Sequence, residues 1–220
     1  DFAFKMATVN GTGSASANNL LMHAIFRMGI PVTGKNLFPS NIQGLPTWYE
    51  IRVSKDGYTA RPPEIDIVVA PNPSTYAKDV ANVRPGGYLI YDSSWPLDPE
   101  LVREGITILG IPFGRLCVDA FEHDRDRTLL RNIVYAGSLA ALLALDMDIV
   151  NTMAKEKFAK KKSLLDANQR AIRLGYDYAK ANFTCPLPFH LEKMDKTGDS
   201  ISLDGNTAAA LGAVFAGATV

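Results

Sequence analysis

Two cysteines, Cys117 and Cys185, are all that the 220 residues contain, and they form no CxxC pair. Four-thiolate ligation of an iron–sulfur cluster or an all-cysteine structural zinc site is therefore excluded within this chain. Isolated thiols suit a reducing compartment, so a cytoplasmic protein is expected. The opening residues, Asp1 to Lys5, lack the basic region and apolar run of a signal peptide. No stretch reaches the ~18–20 apolar residues of a membrane-spanning helix, which predicts a soluble protein with no membrane partner. Histidine is scarce too: His23, His123 and His190 are scattered, with no two at metal-ligand spacing, so no metal site is expected. No nucleophile elbow and no Ser/His/Asp order occurs, and no catalytic residue is assigned. An excess charge of either sign is also missing, since 23 Lys and Arg balance 23 Asp and Glu. That balance gives no overall attraction to nucleic acid. The one dense basic run, Lys155 to Lys162, reads as a solvated helix face, and the Asp119–Arg127 cluster around His123 as a mixed-charge loop.

What the chain does have is a 47% hydrophobic composition, enough for a real core. Phe2 to Val9 reads as a strand ended by Asn10-Gly11-Thr12-Gly13-Ser14, and Leu20, Leu21, Ala24, Ile25 and Met28 follow at helical spacing up to Gly29. Strand, glycine turn and helix open a βα unit. Further strands are expected at Ile30 to Gly34, Thr47 to Ser54, Ile65 to Ala70, Tyr88 to Tyr91 and Ile106 to Ile111. Asp56-Gly57 predicts a turn, with Tyr58 to Ala60 running back as a hairpin partner for Thr47 to Ser54. A short helix is expected around Thr75 to Asn82, and long helices from Arg125 through Asn182. The fold class is α/β, with a Rossmann-like, mostly parallel sheet, one hairpin and a helical C-terminal part. Residues 1–184 form the α/β domain, 185–204 a linker, and 205–220 the small-residue start of a following domain.

The Gly11-Thr12-Gly13-Ser14 turn carries the most chemistry. Its glycines permit a tight turn and close backbone approach, while the next helix offers unpaired N–H donors to an anion. Ser14 or Ser16 could cap that helix or donate to a phosphate oxygen. The pattern is G-x-G-x-x-S, and the same glycines could serve chain geometry alone. An NAD site needs an acidic residue about 20 positions on. The sequence there is Gly34-Lys35-Asn36-Leu37, and Lys35 suits a phosphorylated ribose, as in NADP or coenzyme A. The turn-rich stretch from Phe38 to Pro46 is a candidate ligand or subunit loop, with Asn41 as a candidate contact. Asp66, at the entry to an apolar strand, is assigned no chemistry.

Three stretches occur in one order: NGTGSASANNL from Asn10, LFPSNIQGLPTWYEIR from Leu37 and DGNTAAALG from Asp204. Together they resemble the γ domain of the 2-oxoacid:ferredoxin oxidoreductases, the last looking like the start of the thiamine-binding domain in fused α subunits. Gln43-Gly44-Leu45 departs from the Arg-Gly-Gly of many γ subunits, so that arginine's contacts are not carried over. The resemblance implies an enzyme that decarboxylates a 2-oxoacid, here 2-oxoglutarate, to an acyl-CoA. Thiamine diphosphate and iron–sulfur clusters would sit in other domains or subunits. The implied partners are the rest of the α subunit, the β subunit and ferredoxin. Gly11, Thr12, Gly13 and Ser14, with Lys35 and Asn41, are the implied coenzyme A contacts. An NADP-dependent dehydrogenase domain and a purely structural subunit are the rival expectations.

Overall fold

The computed structural model describes residues 1–9, 11–38, 45–159 and 161–219. The strand β1 (Phe2–Val9) alternates as a pleat demands: Phe2, Phe4 and Met6 enter the larger core, while Ala3 joins a smaller core on the opposite face. The helix α1 (Ser14–Arg27) covers the first face with Leu20, Leu21, Ala24 and Ile25. The chain continues through β2 (Val32–Leu37), β3 (Pro46–Val53), β4 (Ile65–Ala70), α2 (Tyr76–Asn82), β5 (Val83–Asp92) and β6 (Thr107–Ile111). All six residues of β4 are buried, which explains its near-continuous apolar run. The sheet order is β2-β3-β1-β4-β5-β6. Pairings from β1 through β6 on that side are parallel, and β3 is antiparallel to both β1 and β2. The sheet is thus mostly parallel with one hairpin edge.

That hairpin differs from the expected one. The turn at Asp56-Gly57 forms, with Gly57 N donating to Ser54 O at 3.1 Å, but Tyr58 to Ala60 is not a strand. Both edges of β3 are already occupied by β1 and β2, so no donors or acceptors remain for a third partner. Tyr58 instead lies 5.3 Å from the Arg52 guanidinium. The second strand also starts later than expected, at Val32. Asp66 accepts from Ala3 N at 2.7 Å and Arg84 Nε at 2.6 Å, a structural tie between β1, β4 and β5.

Helices complete the first face. A further helix, α3 (Phe113–Ala120), was not expected, and its first turn is capped from a distance: Asp92 accepts from Gly114 N at 3.1 Å and Ser94 Oγ from Arg115 N at 2.9 Å. The helix α4 (Asp124–Leu142) begins inside the expected mixed-charge loop, where Arg127 pairs with Asp124 at 2.7 Å. From Asn132 to Leu142 every residue of α4 is buried. It is followed by α5 (Met147–Phe158) and α6 (Lys162–Asn182). α4 and α6 cross at two glycines: a Cβ on Gly137 would lie 2.0 Å from Ile172 O, and one on Gly175 would lie 1.9 Å from Val134 O.

Residues 185–204 have no helix or strand but are strapped to the domain. Leu187 N donates to Leu142 O at 2.8 Å, Leu191 N to Leu143 O at 2.9 Å, Met194 N to Met28 O at 2.9 Å and Lys196 N to Gly29 O at 2.9 Å. The helix α7 (Gly205–Phe215) is capped by Asp204, which accepts from Thr207 N at 2.9 Å, and all its residues are exposed. No helix among the described residues is long and apolar enough to cross a membrane.

Candidate ligand site at the glycine turn

The carboxyl end of β1 and the first turn of α1 open into a cleft of about 440 Å³, lined by Gly11, Gly13, Ser14, Asn18 and residues of β2 and β3. It lies beyond the carboxyl end of β1, on the side of the sheet where β3 and β2 follow β1. Gly11 and Gly13 both take left-handed φ angles, 86° and 80°, which an L side chain rarely adopts. A Cβ on Gly13 would also come 2.9 Å from Leu129 Cδ2 of α4. The turn is held in place by Thr12 Oγ1, which donates to Val9 O at 2.7 Å, and by Asn132 Nδ2, which donates to Thr12 O at 2.7 Å.

Neither Ser14 nor Ser16 caps α1. The N-cap is Gly13, no side chain among the described residues caps it, and the first turn holds no acidic residue. Ser16 N donates to Gly13 O at 3.1 Å, so the amides ahead of it and the positive end of this 14-residue helix stay available to an anion. Ser14 joins a buried hydroxyl chain instead: Thr8 Oγ1 is 3.1 Å from both Ser14 Oγ and Thr47 Oγ1. Asn18 Oδ1 accepts from the buried Tyr135 hydroxyl at 2.7 Å, which leaves its amide nitrogen as a donor. Asn36, Phe38, Thr47 and Tyr49 complete the lining, and burial pushes the Tyr49 phenol up, keeping it a neutral donor. Among the described residues no charged side chain lines the cleft. It is a neutral hydrogen-bonding site facing a helix N-terminus.

Of the candidates named from sequence, the structure brings Gly11, Gly13 and Ser14 to one cleft, with Thr12 forming the turn between them. Lys35 goes elsewhere. Side chains alternate along β2, so Asn36 faces the glycine turn while Lys35 faces the opposite side of the sheet, beside Glu50 and Arg61. Asn41 lies outside the described residues. Sequence reasoning missed Asn18, Asn132 and the Thr8–Thr47 pair. The only signal for them was a polar residue in an otherwise apolar period.

In α4, Arg131 lies with its guanidinium 6.0 Å from the Trp95 ring. Its Nε is buried without a hydrogen-bond partner among the described residues. Among those residues no group of three or more His, Cys, Asp or Glu could hold a metal.

A mixed six-stranded sheet with a glycine turn at the carboxyl end of β1 gives an α/β domain with a candidate ligand site at that turn. The chain belongs to the pyruvate ferredoxin/flavodoxin oxidoreductase family, whose model matches residues 3–178. It is 22% identical to the α subunit of 2-oxoacid:ferredoxin oxidoreductase 2 of Aeropyrum pernix, over 99% of this chain and 40% of that subunit. It is 23% identical to the 2-oxoglutarate oxidoreductase subunit KorA of Mycobacterium tuberculosis, over 69% of this chain and 26% of that one. Its fold matches the 2-oxoglutarate:ferredoxin oxidoreductase of Magnetococcus marinus, solved with 2-oxoglutarate, coenzyme A and succinyl-CoA bound. That match has a TM-score of 0.85 at 25% identity, covering 97% of this chain and 36% of that one. It matches the γ subunit of a keto/oxoacid ferredoxin oxidoreductase of Geobacter sulfurreducens at TM-score 0.65 and 17% identity, covering 82% of this chain and 99% of that one. The chain thus spans less than half the length of these two relatives.

Proposed function

We propose that this chain is the γ-type unit of a 2-oxoacid:ferredoxin oxidoreductase, with its α/β domain in residues 1–184, and that the glycine-turn cleft receives part of coenzyme A. The carrying observation is the uncapped N-terminus of α1 behind Gly11 and Gly13, opening on neutral donors and acceptors. An anionic phosphate is stabilised by the free amides and the helix dipole. The hydroxyls of Ser14, Thr8 and Thr47 and the amides of Asn18 and Asn36 fit the polar remainder of such a ligand. The likeness to an enzyme solved with coenzyme A supports this reading. With no catalytic group assigned to this chain, decarboxylation would take place on thiamine diphosphate held by other domains or a β subunit. Electrons would then leave through iron–sulfur clusters to ferredoxin in the cytoplasm. The exposed α7, reached through the strap at 185–204, would begin the adjoining domain. We take 2-oxoglutarate as the acid, in line with the Magnetococcus and Mycobacterium relatives.

The test uses the complete enzyme containing this chain, assayed for coenzyme A-dependent reduction of a low-potential dye with 2-oxoglutarate or pyruvate. Turnover with 2-oxoglutarate is expected. Gly13→Val, which adds bulk at a left-handed position against Leu129, is expected to raise the KM for coenzyme A. An unchanged KM would remove the turn from the ligand site, and turnover with pyruvate alone would reassign the acid.

A further inference from the structure

The face of the sheet opposite α1 carries a second cleft, of about 600 Å³, whose chemistry is the reverse of the glycine-turn site. Its walls include three cations, Lys5, Arg61 and Lys78, and its apolar side is Leu37, Leu45 and Trp48. The Trp48 indole is fixed at its centre. Its Nε1 donates to Asp79 Oδ1 at 2.8 Å, and the Lys78 and Lys5 ammonium groups lie 3.8 Å and 5.6 Å from the ring. The two nearby carboxylates are turned inward. Glu50 is occupied by Lys5 at 3.2 Å and by both sides of the Arg61 fork, and Asp79 by Trp48 and by Thr75 Oγ1 at 2.6 Å. Lys78 has no carboxylate partner among the described residues.

The fold by itself does not call for this arrangement. Lys5 and Glu50 are only 4% exposed, and Lys5 stands between Ala3 and Ala7 on its strand face. A buried charge cluster is weak as a source of stability, since apolar replacements usually do as well or better. Here it holds one ammonium and one guanidinium rigidly at the wall of an open cleft, with Asn82 Oδ1 as the second acceptor for Lys5 at 3.1 Å. Three cations against two fully engaged carboxylates leave the accessible surface positive beside an apolar wall.

We propose that this cleft is a second ligand site, which takes a phosphate-bearing ligand with an apolar arm. The phosphate sits among Lys5, Arg61 and Lys78, and the arm lies over Leu37, Leu45 and Trp48. The site opens on the other face of the sheet from the glycine turn, with Phe38 lining the edge of both clefts. The same chemistry could come from the nucleotide end of coenzyme A or from a separate phosphorylated metabolite.

The chain has two tryptophans, Trp48 and Trp95, so the indole N–H resonance of Trp48 is a local reporter, assigned with Trp95→Phe. The full chain is titrated at low salt with 3′,5′-ADP, coenzyme A and inorganic phosphate. The expected result is movement of the Trp48 signal by 3′,5′-ADP or coenzyme A at lower concentration than by phosphate. Lys78→Glu should weaken that binding about tenfold or more, by replacing an attraction at contact distance with a repulsion. Gly13→Val should leave the response to 3′,5′-ADP intact, which separates this site from the proposed coenzyme A turn. If coenzyme A moves Trp48 and Gly13→Val weakens that response alone, one coenzyme A reaches both sites. If Gly13→Val leaves it unchanged, the ligand is a separate one. No movement with any probe at millimolar concentration, an equal response to bare phosphate, or an undiminished response in Lys78→Glu overturns the proposal.

Discussion

The crossing of α4 and α6 gives a prediction in which local and tertiary effects have opposite signs. Gly137→Ala and Gly175→Ala each place alanine in the interior of a helix, where propensity alone stabilises by about 1 kcal/mol. In the folded chain the new methyls would lie 2.0 Å from Ile172 O and 1.9 Å from Val134 O, where ordinary contact begins near 3.4 Å. The opposing atoms are backbone, so no side chain can rotate away and the helices must part by more than an ångström. Overpacking a core typically costs ~1–3 kcal/mol. The upper end applies here, because separation also stretches the 3.1 Å bond from Ser138 Oγ to Gly175 O. After subtracting propensity, a net loss of about 2 kcal/mol is expected for each variant. At this chain length that is a fall in Tm of roughly 4–8 °C. The double variant should lose less than the sum, since either methyl already forces the separation. Gly212→Ala in α7, where no atom lies within 4 Å, is the control and should leave the unfolding midpoint unchanged. Thermal and urea unfolding by circular dichroism measures all four. Parent-like or higher stability in both single variants would refute the close crossing.

Two further outcomes concern buried titrating groups. Burial pushes the Asp79 carboxyl above its ordinary 3.8, so the folded chain holds that proton more tightly than the unfolded one. Its contribution to stability therefore falls as pH rises from the ordinary carboxylate range through the raised value. Asp79→Asn should flatten that limb of a stability–pH curve, and an unchanged limb would show that Asp79 does not cause it. The Cys117 thiol is pushed up to about 12 by burial. In a Cys185→Ser chain it should react with a thiol reagent at pH 8 only as the protein unfolds, because the thiolate is the reactive form. Rapid labelling of the native Cys185→Ser chain would contradict the burial.

The glycine turn, the strands β1, β3, β4 and β5 and the long helices were legible in the sequence because their signals are local. A strand buried on both faces must be apolar throughout, as β4 is, and a turn at left-handed φ needs glycine, as at Gly11 and Gly13. The family resemblance, too, rests on stretches that can be read along the chain. What the sequence could not decide were the relations between distant segments. The partner of β3 depended on which of its edges stayed free, and β1 and β2 took both. α3 had no visible start because its caps, Asp92 and Ser94, lie some twenty residues upstream. Lys35 and Asn36 are neighbours in sequence, yet the alternation of β2 sends them to opposite faces and only Asn36 meets the turn. Lys5, Arg61 and Lys78 gave no pattern along the chain; the pairing of β1 with β3 sets Lys5 beside Trp48, Glu50 draws in Arg61, and α2 brings Lys78. Local composition determines which elements form, while register and the order of the strands decide which side chains share a site.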